Sequence, residues 1–383
     1  MREVAVVGVG LTPVGEHWDT SLHRLAADAA GQALTDAGGV QPDALYLGNA
    51  YGGPVSSQTQ LAALVADYAG LGGIEALGLE AAEAAGAAAL RAGCLAVASG
   101  AVETALVVGV EKMTDSIAAA RIAARSVSLD ADFEAAHGAT LTALAALLMR
   151  RYMHEYGLEL DAFEGFSINA HANGLRSQHA MYHNLIKPGR YASAPMIADP
   201  VNLFDSAPDA DGAAALVLTT RERAAGLASL PVYVAGSAVA TDTLALHDRA
   251  DLLYLKAAAL SAQRAYRQAG IHPSDVDLFE LHDAFTITSA LSLEAASFAA
   301  RGEGWKLARE GAISLTGSVP ISTFGGLKSR GNPAGATGVY QAAEACLQLR
   351  GTAGDNQVLG ARVALIQSLG GLGSTAITHV LRT

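Results

Sequence analysis

Cysteine is nearly absent: Cys94 and Cys346 are the only two in 383 residues. Both fall inside helix-forming runs, so no disulfide scaffold is expected and a reducing, cytoplasmic setting is. Aromatic residues make up only 5% and charged residues 16%, and the charge is one-sided, with a formal net of −12. Without a basic tract, neither nucleic acid nor an anionic membrane surface is expected as a partner, and an anionic ligand would need a local positive patch. No apolar run free of glycine and charge reaches the roughly 18 residues of a bilayer span, so no membrane span is expected. The opening MREVAVVGVG enters a strand at once and lacks a basic n-region with a small-residue cleavage site, so no secretory leader is expected.

What the chain does have is a 51% hydrophobic content and 41 glycines. That length exceeds one ordinary core and calls for two domains or two fused halves. Short Val-rich runs read as buried strands at 4–8, 44–47, 104–109, 213–219, 231–238, 276–281, 363–368 and 375–381. Helical patterns occupy 21–37, 59–69, 251–269 and 333–350. Strands alternating with helices predict an α/β fold of mixed sheets sandwiched by helices, in two halves of similar plan: 1–225 and 226–383. Residues 116–200 are richer in His, Tyr, Met, Asn and Arg and read as an inserted helical and loop region that builds a binding surface.

Some local patterns have a plain reading. GVGLTPVG lacks the GxGxxG spacing, and Pro13 interrupts it, so a strand-to-loop turn is expected rather than a nucleotide loop. DADG (209–212) lacks the other ligand positions of a calcium loop. His171, His179 and His183 have no carboxylate at matching spacing and read as a polar helix face with no metal.

The most informative stretch is Leu79–Ser99, a small-residue-rich run from a strand-like approach into a long helix, with Glu83 at the turn. Burial and the helix N-terminus would act on this carboxylate in opposite directions. Four segments fall where strands give way to helices, the usual address of sites in α/β proteins. They are EAAEAAG (80–86), ELHDAFT (280–286), GGLKSRGNPAGATG (325–338) and SLGGLG (368–373). Together with GVEKMTD (109–115) and LFDSAPDADGAAA (203–215), they resemble the thiolase superfamily over essentially the whole chain. HDAFT points to the sterol-carrier and archaeal branches.

The resemblance implies a thiolase-like five-layered αβαβα fold with two duplicated halves and an inserted loop domain. It also implies a homodimer that binds acyl-CoA, with the coenzyme A thioester as substrate and no bound cofactor. Members of these branches associate with a small OB-fold, zinc-ribbon protein. In the family a cysteine of E-x-A-C-x-S-G forms the acyl-enzyme and a histidine of G-H-P activates it. Here the resemblance puts Glu83 at the cysteine position, Ala85 at the usual serine and Asn332 at the histidine. Ser368 stands at the second cysteine, and His282 of HDAF is retained. Glu83, His282 and Asn332 are thus the catalytic candidates, with Phe285, Gly371, Lys328 and Arg330 for substrate.

A carboxylate nucleophile would give an anhydride that water destroys, so thiolysis by an acyl-cysteine is disfavoured. Cys94 is about three helical turns beyond Glu83 and reads as a small buried hydrophobe. What remains suits aldolase-type cleavage of a β-hydroxyacyl-CoA, with His282 and Asn332 on the thioester oxygen and Glu83 as base. The alternative is a non-catalytic acyl-CoA-binding subunit in which Glu83 fills an inactive pocket. A weaker alternative is a true acetyl-CoA C-acyltransferase. Tyr340 and Tyr254 are the nearest tyrosines for an acid–base role, against plain packing. Lys187, Arg190, Lys328 and Arg330 either meet coenzyme A phosphates or are solvated surface.

Overall fold

The computed structural model describes residues 2–187, 189–228 and 230–383. The Val-rich runs form β1 (Val4–Leu11), β2 (Ala44–Gly48), β3 (Glu75–Leu79), β4 (Thr104–Glu111) and β5 (Gly212–Thr220) in the first half. The second half supplies β6 (Val232–Thr241), β7 (Leu278–Glu280), β8 (Val363–Gly370) and β9 (Thr375–Arg382). They make one mixed nine-stranded sheet in the order β3-β2-β4-β5-β1-β6-β9-β8-β7. The seam between the halves is thin. β1 pairs with β5 from Val4↔Thr220 to Leu11↔Ala214, but meets β6 only at Ala5↔Tyr233 and Val6↔Val232.

Helices cover both faces. On the outside of the first half lie α1 (Leu22–Asp36) and α2 (Leu61–Tyr68), whose Leu25, Ala29 and Val65 pack on Leu45, Leu47 and Val108. Ser21 caps α1 by accepting from the Arg24 N–H, and the helix stops before Gly38 and Gly39, both at positive φ, as its sequence predicts. Between the halves lie α3 (Ala85–Ser99) and, near the C-terminus, α9 (Thr337–Leu349), where Leu90, Val339 and Tyr340 meet Val107, Leu216 and Ile366. These two helices cross at backbone distance. A Cβ on Gly338 would lie 2.3 Å from the Ala87 nitrogen, and one on Gly86 2.6 Å from the Gly335 oxygen. On the far side α7 (Lys256–Ala269) and α8 (Thr286–Ala295) bury Ala262 and Leu291 with Leu365 and Val380. The layers run αβαβα, as expected.

The inserted region contributes α4 (Ala118–Ser126), α5 (Leu141–Tyr156) and α6 (Glu164–Gly174). It is not a detached appendage: Leu144, Leu148 and Tyr152 of α5 join the hydrophobic cluster of the second half. Three expectations shift. The helix predicted from 251 begins at Lys256. GVGLTPVG stays in β1 through Leu11, and a Cβ on Gly10 would strike the Ala29 oxygen of α1 at 2.1 Å, so these glycines serve close helix-on-strand packing. His179 and His183 lie outside any helix, and only His171 is on α6.

Candidate active site

A cavity of about 130 Å³ opens where the two halves meet the inserted region. The polypeptide leaves β3 and turns sharply into α3, with Ala82 at φ 48, a left-handed conformation costly for a residue with a Cβ. That turn delivers Glu83, one residue ahead of the α3 N-cap Ala84, into the cavity with 2% exposure. Its hydrogen bonds come from elsewhere in the chain. Tyr51 Oη donates to Oε1 at 2.5 Å, and the Gly371 N–H donates to Oε2 at 2.9 Å. Arg125 Nη1 stands 3.7 Å from Oε1.

Tyr51 is 1% exposed, on the segment after β2. Burial first, then the Glu83 charge, hold its phenol well above the ordinary range, so it acts as a donor. Arg125 comes from α4. Its Nη2 lies 2.5 Å from Asp209, which also takes Arg121 Nε at 3.0 Å. Burial works against the Arg125 charge, but Asp209, Tyr51 and Glu83 outweigh it and raise its pKa. The neutral-sum cluster Arg121–Asp209–Arg125–Glu83 therefore ties α4 to the cavity wall.

The same cavity is lined by His282, just beyond β7, and Asn332, in the turn before α9. Burial, with Arg125 and Arg330 nearby, lowers the His282 pKa to about 3, so the imidazole is neutral at physiological pH. Its Nδ1 is buried without a hydrogen-bond partner. The Asn332 Oδ1 accepts from Thr337 Oγ1 at 3.3 Å, which leaves its amide nitrogen for a ligand. Phe285 and Gly371 complete the wall, with Ile122, Leu141, Ala207 and Ala284 as apolar lining.

Of the residues singled out in the sequence, Glu83, His282, Asn332, Phe285 and Gly371 thus converge on one cavity. Lys328 and Arg330 do not. Lys328 is 3% exposed and its ammonium donates to the Asp205 carbonyl at 2.5 Å. Arg330 is fully buried, pairs with Glu344 at 2.7 Å and lies over the Tyr340 ring. Neither offers a cation to a phosphate, so the basic look of GGLKSRGNP misled: these cations bind the protein's own interior. Lys187 and Arg190 line a separate surface cavity of about 450 Å³ with His171.

Ser368 is buried and donates to Gln341 Oε1 at 2.5 Å, outside the cavity lining. Tyr340 is bonded to Thr12, and Tyr254 is 42% exposed. The site tyrosine is instead Tyr51, missed because nothing local to its sequence marks it. Arg125 and Asp209 were missed for the same reason: each is recognisable only once the chain has folded. Both cysteine thiols are buried and pushed up to about 12 by that burial, and neither lines the cavity. Among the described residues no group of His, Cys, Asp and Glu is arranged to hold a metal ion, and no helix is long and apolar enough to cross a membrane.

Comparison with known proteins gives this geometry a lineage. The thiolase N-terminal domain family matches residues 4–193 and the thiolase C-terminal domain-like family matches 238–383. The chain is 40% identical over 382 residues to an acetyl-CoA acetyltransferase of Methanothermobacter thermautotrophicus, covering 99% of both chains. It is 29% identical to sterol carrier protein 2 of Oryctolagus cuniculus, covering 99% of this chain and 72% of that one. Among solved structures, the one titled Ltp2-ChsH2(DUF35) aldolase superposes with a TM-score of 0.86 at 25% identity, over 100% of this chain and 98% of that one. The chain belongs to the thiolase superfamily.

Proposed function

We propose that this thiolase-like acyl-CoA protein acts on a carbon–carbon bond without a cysteine acyl-enzyme, by retro-aldol cleavage of a β-hydroxyacyl-CoA. The observation that carries the reading is the Glu83 carboxylate, held by Tyr51 and Gly371, in a cavity that His282 and Asn332 also line. The absence of any thiol from the cavity lining supports it further.

The chemistry balances on these groups alone. The neutral His282 and the Asn332 amide donate to the thioester oxygen, where negative charge develops. Glu83 takes the β-hydroxyl proton through a lone pair of Oε2, which has one protein donor and capacity for another. The Cα–Cβ bond breaks, the β-carbon leaves as an aldehyde or ketone, and the electron pair enters the thioester as an enolate. The proton held by Glu83 returns to Cα and yields the shortened acyl-CoA. Tyr51 holds the carboxylate in line throughout. A homodimer and a small OB-fold, zinc-ribbon partner belong to the same proposal. The aldolase neighbour's title pairs it with a DUF35 protein, which is compatible with such a partner.

A second reading also has an observation in its favour. Both Glu83 oxygens already have internal donors, as expected of a carboxylate that merely fills the pocket of a non-catalytic acyl-CoA-binding subunit. Two assays separate the readings. Incubation with a β-hydroxyacyl-CoA should release a carbonyl product and a shortened acyl-CoA, whereas a non-catalytic subunit would bind without release. Acetoacetyl-CoA with free coenzyme A should give no acetyl-CoA; appreciable production would overturn both readings in favour of true thiolysis.

A further inference from the structure

One buried acid takes no part in the steps above. Glu111 ends β4 with no exposure to solvent. Its Oε2 accepts from the Ala50 N–H at 2.9 Å and the Gly335 N–H at 3.1 Å. Its Oε1 accepts from Asn49 Nδ2 at 2.9 Å and the Tyr51 N–H at 3.2 Å. These donors come from two segments that reach the cavity from opposite halves. One carries Tyr51, and the other runs from Asn332 to Gly335. The segments are in backbone contact, since a Cβ on Gly335 would lie 2.4 Å from the Ala50 nitrogen. Ala334, held at φ 25, shares a buried apolar cluster with Tyr51 and Met113.

We propose that Glu111 is the positioning residue of the cavity: its carboxylate clamps the Asn49–Tyr51 segment to the Asn332–Gly335 turn and so fixes the spacing between the Tyr51–Glu83 pair and the Asn332 amide. Only the activity arm of this proposal rests on the retro-aldol reading. The clamp needs an acceptor with no proton of its own. Glutamine would turn an NH₂ group toward N–H donors, and the protonated acid would do much the same with its O–H.

Burial raises the Glu111 pKa to about 7, against the pull of the bonds from Ala50, Gly335, Tyr51 and Asn49. The ionisable groups on adjoining segments are few. Tyr51 and Glu83 lie on the cavity side. Lys112, next along the chain, turns its ammonium to Asp211 at 3.2 Å and Asp115 at 2.8 Å. The 332–336 turn carries none. As pH falls through about 7 the clamp gains a proton and turnover should fall. The stability contribution has the opposite sign. A carboxyl pKa raised from 4.5 to about 7 by folding favours the folded state at low pH, and this contribution is lost as pH rises across that window.

The test uses protein labelled with [13Cζ]tyrosine, the Tyr51 resonance being assigned by its loss in Tyr51→Phe. In the native protein that resonance should titrate near pH 7, and in Glu111→Gln it should be displaced and stop titrating there. With a β-hydroxyacyl-CoA, Glu111→Gln should lower kcat about 100-fold with little change in KM, and Glu111→Asp should recover part of the loss. A Tyr51 resonance unmoved by Glu111→Gln and flat around neutral pH overturns the clamp, whatever the activity. If Glu111→Gln does not fold, the displacement of the Tyr51 resonance in Glu111→Asp decides instead. If no substrate is cleaved, the retro-aldol reading fails while the resonance still decides the clamp.

Discussion

Glu83 is defined by its neighbours rather than by its place in the chain. A carboxylate at a helix start would ordinarily satisfy that helix's own N–H groups. Here it turns away to Tyr51 and Gly371, residues brought in from the first and second halves. Removing the phenol isolates its contribution. Tyr51→Phe should lower kcat about 10–100-fold, the equivalent of one hydrogen bond to a charged group, with KM nearly unchanged. Steady-state kinetics check it, and an unchanged kcat would make Tyr51 a packing residue. His282 adds no charge change near neutrality, because burial keeps its pKa near 3. EAAEAAG and HDAFT were legible as site segments because each sits at a strand-to-helix junction, whereas GNP follows a short helix and was legible only through the motif it resembles. Tyr51, Arg125 and Asp209 were not, since a lone Tyr in a loop and a lone Arg on a helix look the same whether or not they meet a carboxylate.

At the scale of elements, the segments leading into α3 and α9 carry Glu83 and Asn332 into the cavity. The approach of the two helices depends on glycine. In an exposed helix, Gly→Ala is worth roughly 0.5–1 kcal/mol in favour of alanine. At Gly338 the sign should reverse, because the new Cβ would meet backbone at 2.3 Å, which no rotamer change relieves. Gly338→Ala should destabilise by about 1–3 kcal/mol, read as a lower urea midpoint at constant m-value. A raised midpoint would show that the helices have room to separate. The helix α4 is held differently. Ala124 is its one buried residue, and the contacts that anchor it to the cavity are the Arg121 and Arg125 pairs with Asp209. Such an attachment is invisible to periodicity, which marks the two arginines as a polar face and says nothing of the carboxylate they meet.

For the molecule as a whole, the alternation of Val-rich and Ala-rich runs was enough to foretell a mixed sheet with helices packed on it. Eight strands of the nine-stranded sheet fell within a few residues of their predicted spans because buried strands leave a continuous apolar run; β3, whose residues are largely exposed, had no predicted span. Burial of ionic groups was not legible. Lys328 and Arg330 lie in a Gly-rich stretch that reads as surface, yet the fold closes over them, and Arg330 finds Glu344 one element away. A site assembled at the seam of two halves takes its chemistry from several elements, so only part of it leaves a local mark. The central claim is that Glu83 moves the proton that permits carbon–carbon cleavage. Its most direct test is single-turnover cleavage of a β-hydroxyacyl-CoA by the native protein and by Glu83→Gln, with binding measured in parallel by calorimetry. The account predicts carbonyl release by the native protein, a rate at least about 100-fold lower for Glu83→Gln, and a similar Kd for both. Equal rates in the two proteins, or tight binding with no cleavage by the native one, would contradict it.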